Sequence, residues 1–333
     1  MRDKVIFVTG CAGLLGNNYS RYLLDKGYIV IGIDNLFGGY KDYLPQHDNF
    51  FFHQLSLEKD HEELQRLFLK YMPHSVYHFA AYAAEGLSPF IRRYNYQNNI
   101  ISSVNVINNC IDFNCKLIFT STMAVYGCSV PPFTEDLTPT PCDPYGIAKY
   151  AIEMDIKQAK TQFGLRYSII RPHNVLGIYQ NIWDKYRNAI GIFIRRTLNK
   201  EPILIYGDGE QTRAFSDIDY YMEPFYKLID SYDEEIFNIG ADKHWSLNEV
   251  AKIVLKTGEK YGFNNSIQHE EPRLEVKDAY CSHDKAKDML GFKDGTNLEG
   301  LIDKMFFWAK DQPNRKLKHI EYEIDKGMYS YWK

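Results

Sequence analysis

The chain has 333 residues, 45% hydrophobic and 25% charged, with a formal net charge of −4. Those values fit a soluble globular protein of one large or two smaller domains. They give no basic footprint for nucleic acid, and no apolar run approaches the ~20 residues needed to span a bilayer. The first predicted element is an apolar, β-branched strand, Val5 to Val8. A turn follows with Gly10, Gly13 and Gly16 at three-residue spacing, then a helix ending at Gly27. A second apolar run, Tyr28 to Ile33, stops at Asp34. Strand, glycine turn, helix, strand and acid in this order form a dinucleotide-binding unit. Gly10 allows the tight turn, Gly13 lets a pyrophosphate approach the backbone, and Gly16 lets the helix pack on the sheet. The helix N-terminus offers unpaired N–H groups and partial positive charge to phosphates. A carboxylate at position 34 accepts ribose hydroxyls and repels a 2′-phosphate, which favours NAD over NADP.

After a polar loop with Gly38 and Gly39, a third strand is predicted over Phe50 to Leu55 and a helix over Asp60 to Tyr71. Strands follow at Ser75 to Ala80, Lys116 to Ser121 and Arg166 to Arg171, with helices at Asn98 to Phe113 and Tyr145 to Phe163. Tyr82 to Tyr96 and Gly127 to Pro144 are predicted loops. This alternation predicts an α/β fold with a doubly wound parallel sheet. From Asn174 the rhythm changes: a helix at Asn188 to Leu198, short strands at Ile203 to Tyr206 and Ile236 to Ile239, and two capping boxes, Ser246…Glu249 and Thr296…Glu299. The predicted division is a dinucleotide domain over 1–173, a smaller α/β substrate lobe over 174–311 with some segments returning to the sheet, and a tail over 312–333, docked or flexible. Six cysteines without CxxC or CxxH spacing read as reduced thiols of a cytoplasmic protein, with no metal site. A strand starting within four residues of Met1 predicts no signal peptide.

In YGIAK, Tyr145 and Lys149 lie one helical turn apart on one face. An unperturbed phenol, pKa near ~10, is a poor base at neutral pH, and a nearby ammonium favours its phenolate. Downstream of a dinucleotide unit this pair reads as catalytic. A partner hydroxyl is expected from Thr120, Ser121 or Thr122 at a strand's C-terminal end, where open α/β sheets bind ligands.

With these residues in view, the chain resembles an extended short-chain dehydrogenase/reductase of the nucleotide-sugar epimerase group, UDP-glucose 4-epimerase-like. The likeness runs through TGCAGLLG, DNL, HFAA, STMAVYG, PYGIAK, RPHNVLG, GDGEQTRAF and PRLEV, about Val5 to Gly291. It implies a Rossmann sheet, NAD as cofactor, a nucleotide-diphosphate sugar as substrate and a homodimer formed through the helices at 98–113 and 145–163. By resemblance Tyr145 takes a proton from a sugar hydroxyl, Thr122 hydrogen-bonds the same oxygen and Lys149 tunes the tyrosine. It implies cofactor contacts at Gly10, Ala12, Gly13, Leu14, Leu15, Gly16, Asp34, Asn35, Phe79, Ala80, Ala81 and Asn99. Substrate contacts are implied at Asn174, Asn188, Tyr206, Arg213 and Arg273, the arginines clamping a diphosphate or else making surface salt bridges. Where related 4,6-dehydratases carry an Asp-Glu pair, this chain has Met123 and Ala124, neither able to transfer a proton. The family's adenine-contacting Asp is replaced by Gln54, Leu55 and Ser56, and the acidic pair after the Arg213 strand reads Asp219-Tyr220. Glu85, Ser88, Arg92 and Arg93, in an unusual loop, are expected beside the sugar ring, as is the insertion Asn181 to Arg187. The reading is a nucleotide-sugar epimerase inverting the fourth carbon; a 4-dehydrogenase releasing the keto sugar, or a non-catalytic NAD-binding regulator, are its alternatives.

Overall fold

A computed structural model describes residues 4–186, 188–272, 276–316, 318, 320–329 and 332. Six strands carry the first half: β1 Val5–Thr9, β2 Ile29–Asp34, β3 Phe50–Gln54, β4 Ser75–His78, β5 Lys116–Thr120 and β6 Tyr167–Pro172. With Glu235–Ile239 they form one seven-stranded sheet, in the order Glu235–Ile239, β6, β5, β4, β1, β2, β3. Every pairing in it is parallel. Helices cover both faces, so the central strands read as continuous apolar runs. Tyr19 and Leu23 of helix α1 (Leu14–Asp25) pack on one face with Phe225 and Leu290. On the other, Phe68 of α2 (His61–Tyr71) lies with later helix residues Val106, Ile107, Ile152 and Ile156. The order of strands reverses at β1, whose neighbours are β2 and β4, and a crevice opens beyond their carboxyl ends. Among the described residues no helix is long and apolar enough to cross a membrane.

The smaller lobe packs Ala189–Leu198, Leu247–Lys260 and Leu298–Ala309 around Phe193, Val250, Ile302 and Phe306. Two short sheets border it: Ile203–Tyr206 with Ile267–Glu270, and Thr212–Ala214 with His244–Ser246 and Asp278–Ala279. The run at 236–239, expected as a short strand after the change of rhythm, extends the main sheet beside β6. Ser246 forms its capping box: its hydroxyl accepts from Glu249 N at 3.2 Å, and its own N–H donates to Glu249 at 2.8 Å. The Thr296 box does not form. Asn297 caps the helix by accepting from Gly300 N at 3.2 Å, and Thr296 Oγ1 instead accepts from Asp217 N at 3.1 Å.

Tyr82 to Tyr96 is not a loop. It contains a 3₁₀ turn, Glu85–Phe90, and a short helix α3, Arg92–Tyr96. That helix runs through a wide π turn, Gln97–Ile101, into α4, Ser102–Asp112. The start of α3 has no local capping side chain. Its cap comes from the tail: Glu323 accepts from Arg93 N and Tyr94 N, each at 2.8 Å. The described part of the tail is docked. Trp332 is buried against Phe90, Tyr186 and Tyr329. Arg315 pairs with Asp42 and lies 4.0 Å over the Tyr40 ring. Removing a helix cap costs ~0.5–2 kcal/mol. Glu323→Ala is expected to lower Tm accordingly and to speed hydrogen exchange at the Arg93 and Tyr94 amides; parental exchange there would refute the capping role.

Candidate active site

The crevice beyond β1 and β4 is shaped by glycines. Gly10 has φ +69°, and a Cβ there would sit 2.8 Å from Ala80 N. A Cβ on Gly16 would strike Gly10 O at 2.3 Å, so α1 can lie on the turn only with glycine at that position. Gly13 N donates to Gly10 O at 3.0 Å, and α1 begins at the next residue, Leu14, with Leu15 behind it. Asp34 closes β2 with both carboxylate oxygens engaged: Oδ2 accepts from Ala12 N at 3.0 Å and Oδ1 from Leu36 N at 2.7 Å. A carboxylate oxygen can accept more than one hydrogen bond, which suits it to a ribose hydroxyl.

Of the residues assigned to the cofactor, Gly10, Gly13, Asp34, Asn35, Phe79, Ala80 and Ala81 line one cleft. Ala12 and Gly16 are buried beneath it. Asn99 is placed otherwise. It is fully buried; its Oδ1 accepts from Tyr82 N at 2.9 Å, and its amide donates to Asn95 at 2.9 Å. Asn98 and Ser102 face the cleft instead. Sequence reasoning also missed Phe37, Gly39 and Leu57. Gly39 was legible in principle: a Cβ there would meet Ala12 O at 2.3 Å, so the paired glycines fold the 35–39 loop onto the phosphate turn. Leu55 and Leu57 replace the missing acid with an apolar wall. A close backbone cradle, an open helix start and a carboxylate at the ribose position fit NAD.

The catalytic candidates stand on β5 and on helix α5, Pro144–Phe163. Asp143 caps α5, accepting from Tyr145 N at 2.9 Å and Gly146 N at 3.0 Å. Pro144 at the first helical position has no N–H to satisfy. Ser88 joins that cap: it accepts from Tyr145 N at 3.2 Å, donates to Asp143 at 3.3 Å, and is 1% exposed. It braces the start of α5, where the sequence reading expected it beside the sugar ring. The three hydroxyls at the end of β5 separate clearly. Thr120 is buried, and Ser121 donates to Glu153 at 2.5 Å. Thr122 is half-exposed, caps the 3₁₀ turn Met123–Tyr126 by accepting from Ala124 N at 3.2 Å, and keeps its own proton available.

Lys149 is 2% exposed, and its Nζ donates to the Thr120 carbonyl at 2.8 Å. Burial pulls its pKa down to about 7, while the Glu153 carboxylate pulls the other way. Tyr145, Lys149 and Glu153 follow at four-residue spacing on α5, giving a phenol, an ammonium and a carboxylate along one face. Arg171 grips Glu153 through Nε at 2.9 Å and Nη2 at 2.5 Å, and reaches Tyr126 Oη at 2.7 Å. Tyr126 in turn donates to Asn238 at 2.8 Å. This buried network lies directly under the Thr122 turn. Sequence reading missed it, although a glutamate between Ile152 and Ile156 on a buried helix face is a signal in itself.

The depressed lysine predicts a pH signature. Unfolded, Lys149 titrates near ~10.4; folded, near about 7. Between those values the unfolded chain holds one more proton, so stability rises with pH across that window. Below about 7 both states are charged and the burial cost is present in full. Ligand-free protein is expected to gain Tm from this group between pH 6 and 9, and Lys149→Met to lose that gain. An identical Tm profile for parent and variant would contradict the assignment.

The substrate candidates are placed less uniformly. Asn174 has φ +42° and donates to Ala214 O at 3.0 Å. Asn188 caps α6, Ala189–Leu198, by accepting from Gly191 N at 3.4 Å, and its Nδ2 is buried without a partner. Tyr206 ends its strand half-buried. Arg213 donates to the carbonyls of Thr212, Val276 and Lys277 at 2.6–2.9 Å. Arg273 lies outside the described residues, as does Arg187. Glu85 is exposed at the head of its 3₁₀ turn. Arg92 and Arg93 are exposed on α3, Arg92 lying 6.0 Å from the Tyr96 ring. In the 181–187 insertion, Asn181 donates to Gly38 O at 3.0 Å, tying it to the cofactor loop.

Comparisons with known proteins agree with this geometry. The profile of the NAD dependent epimerase/dehydratase family matches residues 6–240. A putative UDP-glucose 4-epimerase of Methanocaldococcus jannaschii is 30% identical over 92% of this chain and 99% of its own length. A UDP-glucuronate 4-epimerase of Thermodesulfobacterium geofontis is 28% identical over 91% of this chain and 95% of its own. The structure of UDP-glucose 4-epimerase from Thermotoga maritima, solved with UDP-glucose, has a TM-score of 0.85 and 31% identity, covering 92% of this chain and 98% of that one. With its glycine cradle, its acid at the end of β2 and its Tyr-Lys pair on α5, this chain belongs to the NAD dependent epimerase/dehydratase family.

Proposed function

We propose that the protein is an NAD-dependent nucleotide-sugar 4-epimerase acting on a UDP-sugar. The observation that carries the reading is the Lys149 Nζ bond to the Thr120 carbonyl at 2.8 Å, which ties the Tyr145–Lys149 helix to the strand end that leads into Thr122. Gly10, Gly13 and the start of α1 would hold the diphosphate of NAD, Asp34 its ribose, and Lys149 the ribose next to the nicotinamide. Bound NAD supplies the acceptor, and later the donor, of a hydride. Tyr145 would take the proton from the sugar's O4 as C4 is oxidised. Thr122 hydrogen-bonds the same oxygen as alcohol and as ketone. With the opposite face of the 4-keto sugar presented, Tyr145 would return the proton to O4. Half-buried Met123 and buried Ala124 offer no acid or base for removing water, which argues against a dehydratase.

The relatives' substrates, UDP-glucose and UDP-glucuronate, are the first to try. Proton NMR of each incubation is expected to show inversion at C4 with no net accumulation of NADH. Stoichiometric NADH with a released ketone would favour the dehydrogenase reading, and unchanged sugars in all incubations would count against both. We also propose a homodimer through α4 and α5. Ile147 and Met154 on α5 are 42% and 49% exposed, Ile101 in the π turn leading into α4 is 45% exposed, and Ile107 on α4 is buried within the monomer. The six unpaired cysteines suit a cytoplasmic setting.

A further inference from the structure

The loop from Gly127 to Asp143 leaves the Thr122–Tyr126 turn and returns to the cap of α5. Its two legs meet in a tight neck. Gly127 has φ +57°, and a Cβ there would lie 1.9 Å from Thr140 O, so only glycine lets the legs close. Thr140 Oγ1 donates to Tyr126 O at 3.1 Å and sits 3.2 Å from Ser129 Oγ. Beyond the neck the loop is pinned to the body: Phe133 N donates to Tyr280 O at 3.0 Å, and Glu135 accepts from Asn238 N at 2.7 Å. Cys128 and Cys142 face each other across the neck, both exposed, with their sulfurs 2.8 Å apart. The other cysteines, Cys11, Cys110, Cys115 and Cys281, are buried.

A disulfide requires sulfurs at ~2.05 Å on backbones that already approach. Here the neck brings the two legs of the loop together independently of the thiols and leaves the two sulfurs facing each other. We propose that Cys128 and Cys142 are a reversible disulfide site, which ties the exit of the catalytic turn to the cap of the catalytic helix. Cys128 lies two residues after Tyr126, the phenol held by Arg171. Cys142 directly precedes Asp143, which caps α5 at Tyr145 and Gly146. The oxidant is a small-molecule disulfide. One cysteine thiolate attacks it, forming a mixed disulfide and releasing one small thiol. The second cysteine thiolate attacks the protein sulfur of that intermediate and releases the second small thiol. One protein S–S bond replaces two S–H bonds; the protein loses two electrons and the small disulfide gains them.

This site stands apart from the epimerase reading, since it concerns thiols outside the cleft. The test is equilibration of the full-length protein with oxidised glutathione, followed by thiol alkylation, intact mass and peptide mapping. The expected result is loss of two hydrogens, a Cys128–Cys142 linked peptide and recovery of both thiols with dithiothreitol. Cys128→Ser is expected to leave Cys142 carrying one glutathione adduct, and Cys142→Ser the converse. Free thiols at both positions after oxidation, separate adducts on each, or cross-linked dimers would overturn the proposal.

Discussion

Tyr145→Phe is expected to cut turnover of the nucleotide sugar by ~10²–10⁴-fold, the usual worth of a placed general base, while the fold and cofactor binding persist. The variant removes one oxygen and leaves the backbone cap of the helix intact. Asp143 caps α5 through the backbone N–H of residue 145, which phenylalanine also supplies. The ring is buried, and Phe fills the same space. Thr122 and Lys149 stay in place, so substrate still meets a hydroxyl and an ammonium, but no group at position 145 can take the proton. Steady-state rates with a sugar turned over by the parent, beside Tm and retained NAD, make the comparison. A parental rate in a folded, NAD-loaded variant would end the assignment of Tyr145 as the base.

What was readable from the sequence was local. Gly10, Gly16 and Asp34 could be placed because strand, turn, helix and strand are contiguous, and each glycine answers to a neighbour within the same unit or at the adjoining strand end. The Tyr145–Lys149 pair needed only a helix, and Asp143-Pro144 announces one. What failed depended on distant or irregular contacts. The start of α3 is invisible locally because its cap, Glu323, lies in the tail. Asn99 was aimed wrongly because the Gln97–Ile101 segment is a π turn, which widens the helix and rotates the faces beyond it; Asn98 takes the cleft. Ser88 looked like a sugar contact because nothing nearby reveals that it closes the cap at Asp143. The Glu153–Arg171 pair joins α5 to β6, and no periodicity couples those two residues.

That pair carries the second large effect: Glu153→Gln is expected to destabilise the protein by ~3–5 kcal/mol, the cost of breaking a buried ion pair by removing one partner. Arg171 is 1% exposed and Glu153 fully buried, so the guanidinium would keep its charge without its paired carboxylate, with the Glu135 carboxylate near it but not bonded to it. Urea unfolding of parent and variant measures the loss. Replacing both residues with methionine removes charge from both sides and is expected to recover much of it. Lys149 responds as well. Glu153 is the charge that holds its pKa up to about 7. Without that carboxylate the folded lysine deprotonates at lower pH, so the stability gain with rising pH begins at a more acid value. Turnover should fall with stability because Ser121, on one side of Thr122, hydrogen-bonds Glu153, and Tyr126, on the other, hydrogen-bonds Arg171. A Glu153→Gln protein as stable as its parent, with an unmoved pH profile, would show that the pair neither anchors the catalytic turn nor sets the charge of the lysine.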